Sequence, residues 1–454
     1  LSEHVVSSPA HHHRSCPQFF FFFFFFTETM SSSGKVKRMP EAASSGGYKM
    51  NCPDLVKRER RVVWDLVKQM GQNITQLDRV ALPVTINEGR SYLERIADGW
   101  CFAPQYLNRA AACVDDPLER FKLVVTFVLS GLHNTCRPGK PFNPILGETF
   151  EATFKDGTQI FCEQTSHHPP VTSWEVLGPN QSYHFYGYGE WTVGFRGNSV
   201  KGHQTGPNFI VFQDGTKISW NLPESWCRGV MFGDRIIEYM GEVIFEDKVN
   251  DILLNLVIAP SAKDGFFSFK KKLPSDYIQG EIMRKGKSVS VVDGSWLGSI
   301  LFDDKPYWDF QEKLELHVPI PVEFPLPSDS RYREDLVYRK VDDCDNAKEW
   351  KLNLETLQRN DRKLREEGEQ LRQNGSDLFE TPIDHSTEKL ELPASPFPPP
   401  KTKAEAHSLA DSIGSATSPE GRKKMRNDSL KAKSSKDRVK RNKKKGKGKN
   451  SAEG

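Results

Sequence analysis

Apolar residues recur at helical spacing soon after residue 54. Val62, Val63, Leu66, Val67 and Met70, with Trp64 beside them, share a helix face that Gly71 can end. Such a helix at the front of a domain either packs on a core or closes as a lid over an apolar hollow. Residues 92–100 and 118–132 are further helical segments, and the second is almost wholly apolar from Leu123 to Leu129, as a buried helix requires. From 150 to 315 the period changes to two. Segments 150–154, 160–162, 183–187, 209–212, 218–221, 252–258 and 288–292 read as strands, separated by turn signals such as KDG at 155–157 and QDG at 213–215. Their regular spacing predicts an antiparallel barrel or sandwich long enough to enclose a cavity. Beyond a proline-rich stretch at 319–327, a last helix is predicted from Asp342 or Asp343 to Gln373, with acidic residues in its first turn and Trp350, Leu354 and Leu357 as its packing stripe.

The ends of the chain break this pattern. Residues 1–29 carry HHHR and eight consecutive phenylalanines at 19–26. They read as a translated pyrimidine-rich tract ahead of an ordinary start at Met30, although a short signal peptide has a similar outline. Residues 31–53 are rich in Ser, Gly and Lys and are expected to be mobile; beyond Asn374 the chain turns to Pro, Ser and charge, with PASPFPPP at 393–400. The predicted organisation is therefore 1–53 without fold, 54–373 as one folded body, and 374–454 as linker and tail.

Charge sharpens this division. The net charge of +3 over 454 residues hides 15 Lys and Arg against 2 Asp at 421–449, which leaves residues 1–420 at −9. Such a tail suits an anionic membrane, a nucleic acid or a nuclear signal. Eight scattered cysteines with no CxxC pair suit free thiols in a reducing compartment, and no apolar run is long enough to span a bilayer. A cytosolic body is expected.

Three stretches carry candidate chemistry. In EQTSHHPP at 163–170 the prolines exclude helix, so His167 and His168 sit at a strand end or loop, where two imidazoles could clamp a phosphate. In RPGKPFNPILGETF at 137–150, Pro138, Gly139, Pro141 and Pro144 hold Lys140 and Asn143 in a stiff frame, either as a binding loop or as a plain connector. On the last helix Lys351, Glu355 and Arg359 fall at i, i+4 and i+8. That spacing lets Glu355 orient the cations on either side, or else marks a solvated face. No glycine-rich phosphate loop, nucleophile elbow or zinc ligand set is present.

EQTSHHPP resembles the fingerprint of the oxysterol-binding-protein-related family of lipid-transfer proteins. The likeness extends to KPFNPILGETF at 140–150, Gly294-Ser295-Trp296, PLPSDSRYREDL at 325–336 and the helix bearing Lys351, Glu355, Gln358 and Arg359; in order and spacing it covers residues 54–373. The resemblance implies an α+β fold: a large incomplete antiparallel β-barrel around a central apolar tunnel, with an N-terminal helical lid and a C-terminal helical segment. Trp64, Leu66, Val67 and Met70 would belong to the lid. Phosphatidylinositol 4-phosphate would place its headgroup at the tunnel mouth on Lys140, Asn143, His167, His168, Lys351 and Arg359, supported by Glu355. A sterol or phosphatidylserine would take the same tunnel in alternation. No covalent chemistry, cofactor, metal or nucleic acid is implied.

The implied setting is peripheral, on anionic membrane surfaces at endoplasmic-reticulum, Golgi or plasma-membrane contacts. DLFETPID at 377–384 has only the flavour of a receptor-docking motif of the endoplasmic reticulum, in the wrong register. Two other readings compete with lipid exchange. One is a phosphoinositide or sterol sensor without net transfer. The other is an enzyme using the two histidines as acid and base, which the motif disfavours because it holds no nucleophile or carboxylate orienter and adjacent extended residues point to opposite sides.

Overall fold

The computed structural model describes residues 37–70, 82–259, 273–312 and 314–373. The phenylalanine run, PASPFPPP, DLFETPID and the basic tail lie outside the described residues. Six α-helices are present among them: α1 (Pro53–Met70), α2 (Tyr92–Ile96), α3 (Ala103–Ala112), α4 (Pro117–Thr135), α5 (Glu334–Lys340) and α6 (Cys344–Gln373). The strands are β1 (Tyr48–Lys49), β2 (Asn87–Ser91), β3 (Lys140–Phe142), β4 (Thr149–Thr153), β5 (Gln159–His167), β6 (Pro170–Leu177), β7 (Tyr183–Arg196), β8 (Ser199–Thr205) and β9 (Asn208–Phe212), followed by β10 (Lys217–Trp220), β11 (Glu224–Arg228), β12 (Ile236–Asp247), β13 (Ile252–Ile258), β14 (Tyr277–Arg284), β15 (Lys287–Ser295), β16 (Ser299–Phe302), β17 (Lys305–Asp309) and β18 (Ile320–Pro321). Apart from the parallel pair β2–β3, they form one antiparallel sheet of sixteen strands. Its main path runs from β17 to β12 in neighbour order, then β10, β9, β7, β6, β5, β4 and β18.

Alternation decides which side of each strand is inside. In β13, Ile252, Leu254, Leu256 and Ile258 are buried while Leu253 and Asn255 are exposed. The sheet curls around α4. Side chains of this one helix reach rings on strands far apart in the sheet: Phe127 meets Phe185 of β7 at 5.7 Å, Phe121 meets Phe245 of β12 at 6.4 Å, and His133 stacks on Trp308 of β17 at 5.5 Å. This explains why 123–129 is almost wholly apolar, with the hydroxyl of its one polar residue, Thr126, donating to the Lys122 carbonyl at 2.8 Å. A helix in the hollow of a sheet has no solvent side. Of the barrel or sandwich that the strand spacing allows, the curl is the incomplete barrel that the family resemblance implies.

Residues 37–52 differ from the mobile segment expected. Arg38 pairs with buried Asp276 at 2.6 Å, the Met39 amide donates to the Leu297 carbonyl at 2.7 Å, and β1 adds to β12. The Ser-Gly composition that suggests looseness serves close approach instead. A Cβ on Gly46, which has φ +100°, would stand 1.9 Å from the Ser275 amide nitrogen. This strap fixes the start of α1, and the late-barrel motif receives it: Ser295 donates to Asp276 at 2.5 Å, and Trp296 is buried edge-on to Tyr239.

Candidate functional site

A cavity of about 1200 Å³ opens where α4 ends, between α1, the β7–β8 and β11–β12 strands, the 137–146 segment and α6. Lys140, Asn143, His167, His168, Lys351, Glu355 and Arg359, drawn from three separate stretches of sequence, all line it.

The first stretch is built on a buried carboxylate. Pro141 and Pro144 prevent helix, and residues 140–142 instead form β3 beside β2, where Asn87 Nδ2 donates to the Pro141 carbonyl at 3.1 Å. Glu148, at the end of the motif, is wholly buried. It accepts from the Ser91 hydroxyl, from the Ile145 amide at 2.9 Å and from Arg333 Nη1 at 2.6 Å. The same nitrogen of Arg333 donates to the Asn143 carbonyl at 2.9 Å, while Nη2 pairs with Asp335 at 2.8 Å. Burial opposes the Arg333 charge, but Asp335 and Glu148 outweigh it and hold its pKa above the ordinary value. Lys140 Nζ donates to Asn143 Oδ1 at 2.7 Å, and burial, with the charges of Lys351 and Arg333, brings its pKa down to about 8.

The second stretch is a hairpin turn. His167 ends β5 and is paired with Pro170, the first residue of β6; His168 and Pro169, joined by a cis peptide bond, make the reversal. The turn changes the expectation that adjacent histidines point apart. Their ring centroids lie 4.7 Å from each other, edge to face. Buried Gln164 steadies the strand end by donating to the Ser166 carbonyl and accepting from Thr172, both at 2.7 Å. Burial foremost, then His168 and Arg362, lowers the His167 pKa below its usual value, with Glu355 acting the other way. His167 Nδ1 is buried and has no hydrogen-bond partner among the described residues.

The third stretch is a face of α6. Ala347 packs with Val84, Leu336 and Phe142, so the small core that anchors the β3 loop also anchors the helix. Lys351 pairs with Glu355 at 2.7 Å, as the spacing predicts. Arg359 does not turn to Glu355: its Nη2 donates to Thr356 at 3.0 Å, so Glu355 orients one cation and not two.

On α1 the wall of the cavity is formed by Leu55, Val56, Glu59 and Val63. Of the four lid positions, Leu66 and Val67 continue this stripe beyond the wall and are half-buried, whereas Trp64 lies off it and is 42% exposed. The Met70 side chain lies outside the description. Sequence reasoning also missed Arg137, Arg235, Arg333, Arg362 and Arg365, all of which line the cavity. Arg362 was within reach of the helical spacing that found Arg359. Arg235 had no such signal, because it stands alone in the loop before β12 and is defined by its ion pair with Glu59 of α1 at 2.5 Å. A hollow lined by apolar side chains together with cations and imidazoles can hold an amphiphile with an anionic head.

Comparison with known proteins agrees with this architecture. Residues 62–323 match the family model described as Oxysterol-binding protein. Oxysterol-binding protein 9 of Dictyostelium discoideum is 39% identical over 350 residues, covering 72% of this chain and 81% of that one. Human oxysterol-binding protein-related protein 3 is 30% identical over 331 residues, which span 67% of this chain but only 36% of the relative. Among solved structures, the Osh1 ORD domain in complex with ergosterol superposes with a TM-score of 0.57 at 23% identity, over 74% of this chain and 85% of that one. The Osh3 ORD in complex with PI(4)P from Saccharomyces cerevisiae does so with 0.53 at 24%, over 73% and 89%. By the family match and the Dictyostelium relative, the chain belongs to the oxysterol-binding protein family and carries its lipid-binding domain.

Proposed function

We propose that residues 54–373 bind phosphatidylinositol 4-phosphate and a second lipid, a sterol or phosphatidylserine, in the same cavity, and exchange them between the cytosolic faces of two membranes. The observation that carries this reading is the meeting of Lys140, Asn143, His167, His168, Lys351 and Arg359 at one apolar cavity. Phosphate and inositol oxygens suit this set, since charge-assisted bonds in a partly dry site are stronger than neutral ones. The apolar walls, including Val63, Ile145, Phe195, Val200 and Leu354, suit acyl chains or a sterol nucleus. Solved relatives bound to ergosterol and to PI(4)P support one hollow for two kinds of lipid.

The test is transfer between two liposome populations, one carrying phosphatidylinositol 4-phosphate and the other the candidate second lipid. Coupled movement in opposite directions is expected. Movement of the phosphoinositide with no counter-flow would favour a sensor, and hydrolysis of its phosphate would mark an enzyme. Mass spectrometry of co-purifying lipids would name the second ligand.

A further inference from the structure

The 229–235 loop holds Phe232 63% exposed, outside the cavity lining. Exposed phenylalanines are commonly single surface residues of no consequence. This one differs because its backbone is fixed from two sides. Asn198, in the turn between β7 and β8, accepts from the Met231 amide at 2.8 Å and the Phe232 amide at 3.1 Å, and donates back to the Phe232 carbonyl at 3.0 Å. Arg60 of α1 donates to the Gly229 carbonyl at 3.1 Å and to the Gly233 carbonyl. The ring is therefore presented to solvent by a braced loop.

Three elements converge there, each at the edge of the cavity. Val193 of β7 lines the cavity and is still 54% exposed. Trp64 lies one helical turn beyond Arg60, and exposed Lys57, Arg61 and Lys68 share its side of α1, opposite the lining stripe. Asp234, the acid nearest Phe232 in sequence, is taken up by Lys49 at 2.8 Å. We infer that Phe232 and the outer face of α1 form the surface by which the protein seats its cavity mouth on a bilayer with anionic headgroups. The aromatic ring enters the interface while the lysines and arginine meet lipid phosphates. The inference rests on the reading of the cavity as a lipid site, and adds where the bilayer must lie.

The test uses the full chain with the Phe232→Ala and Phe232→Asp variants. Three quantities are measured: co-sedimentation with phosphatidylcholine vesicles with and without phosphatidylserine, the rate of lipid extraction from the anionic vesicles, and affinity for a short-chain, water-soluble phosphatidylinositol 4-phosphate. Roughly tenfold weaker vesicle binding is expected for Phe232→Ala, the scale of one buried aromatic ring, with a greater loss for Phe232→Asp and slower extraction in both. Affinity for the soluble lipid should be unchanged. Vesicle binding and extraction equal to wild type in both variants would overturn the docking surface while leaving the headgroup site intact. So would a concentration-dependent dimer that Phe232→Asp abolishes without loss of vesicle binding, since the face would then belong to a second copy. Wild-type chain that binds vesicles but not the soluble lipid would instead count against the headgroup reading.

Discussion

Arg333 and Glu148 stand 185 residues apart in sequence and meet at 2.6 Å in a site closed to solvent. Through this pair the loop bearing Lys140 and Asn143 is tied to the segment that opens α5. Replacing Arg333 with Ala leaves Glu148 and Asp335 as buried carboxylates without their counter-ion, a loss of roughly 3–5 kcal/mol that urea denaturation would read as a lower midpoint. Arg333→Lys restores the charge but not the fork that holds Asn143, Glu148 and Asp335 together. It should recover part of the stability and little of the headgroup affinity. Full recovery of both by lysine would show that charge alone suffices.

Headgroup affinity should depend on pH through Lys140. Its pKa in the free protein is brought down to about 8 by burial and by the charges of Lys351 and Arg333. A bound phosphate favours the charged amine and raises that pKa, so above the free value binding must take up a proton. Affinity is therefore insensitive to this group below a pH of about 8, and weakens by up to about tenfold per unit as pH rises through the interval between the free and bound values. Titration calorimetry with a short-chain phosphoinositide across the alkaline range would read this slope. Lys140→Gln should weaken binding and flatten the profile, and an unchanged slope in that variant would assign the proton elsewhere.

The histidine hairpin offers a separation of ligands. With the rings 4.7 Å apart at the cavity wall and Gln164 bracing the strand end, replacing His167 and His168 with Ala changes side chains while the turn prolines remain. Extraction of phosphatidylinositol 4-phosphate should fall by at least an order of magnitude, the scale of one or two lost charge-assisted bonds. Binding of the second lipid should persist. Equal loss of both, measured by competition with fluorescent analogues, would make the pair a structural element of the hairpin.

How far such features can be read from sequence depends on whether their cause is local. The β13 strand is legible because its inner face packs on a continuous core, so Ile252 to Ile258 alternate cleanly. The β7 strand reads as ending at Gly187 but runs to Arg196, because Gly187, Gly189 and Gly194 interrupt its alternation. A Cβ at Gly189 would stand 2.1 Å from the Gln204 side chain, so that glycine answers to a neighbouring strand and not to its own. The residues that meet at the cavity, from Lys140 to Arg359, are legible because each sits in a contiguous motif or at helical spacing. The rotamer choice of Arg359 is not, since Thr356 at i−3 competes equally with Glu355 at i−4. Arg235 was invisible for a related reason: a lone arginine is normally solvated, and only the folded wall makes it a neighbour of Glu59.

That ion pair leads to a prediction about the lid. Arg235 and Glu59 meet at 2.5 Å, both largely shielded, and both line the cavity. The strap at residues 37–52 pins the start of α1 to β12; in the reading of α1 as a lid, the helix would open about the connection at 51–53, with the Glu59–Arg235 bond almost two turns along it. Replacing Glu59 with Gln keeps the size of the side chain but removes the counter-charge. The bond weakens and Arg235 turns toward any phosphate within the cavity. The expected outcome is faster release of an uncharged lipid, by roughly three- to tenfold for about 1 kcal/mol of lost closure, with slower release of a phosphorylated one. Stopped-flow release of fluorescent analogues of each kind would read both signs. Equal acceleration of the two lipids would mean that Arg235 serves only to hold the lid, and unchanged rates would mean that α1 is held by its apolar stripe and by the Arg60 bonds to the 229–233 loop.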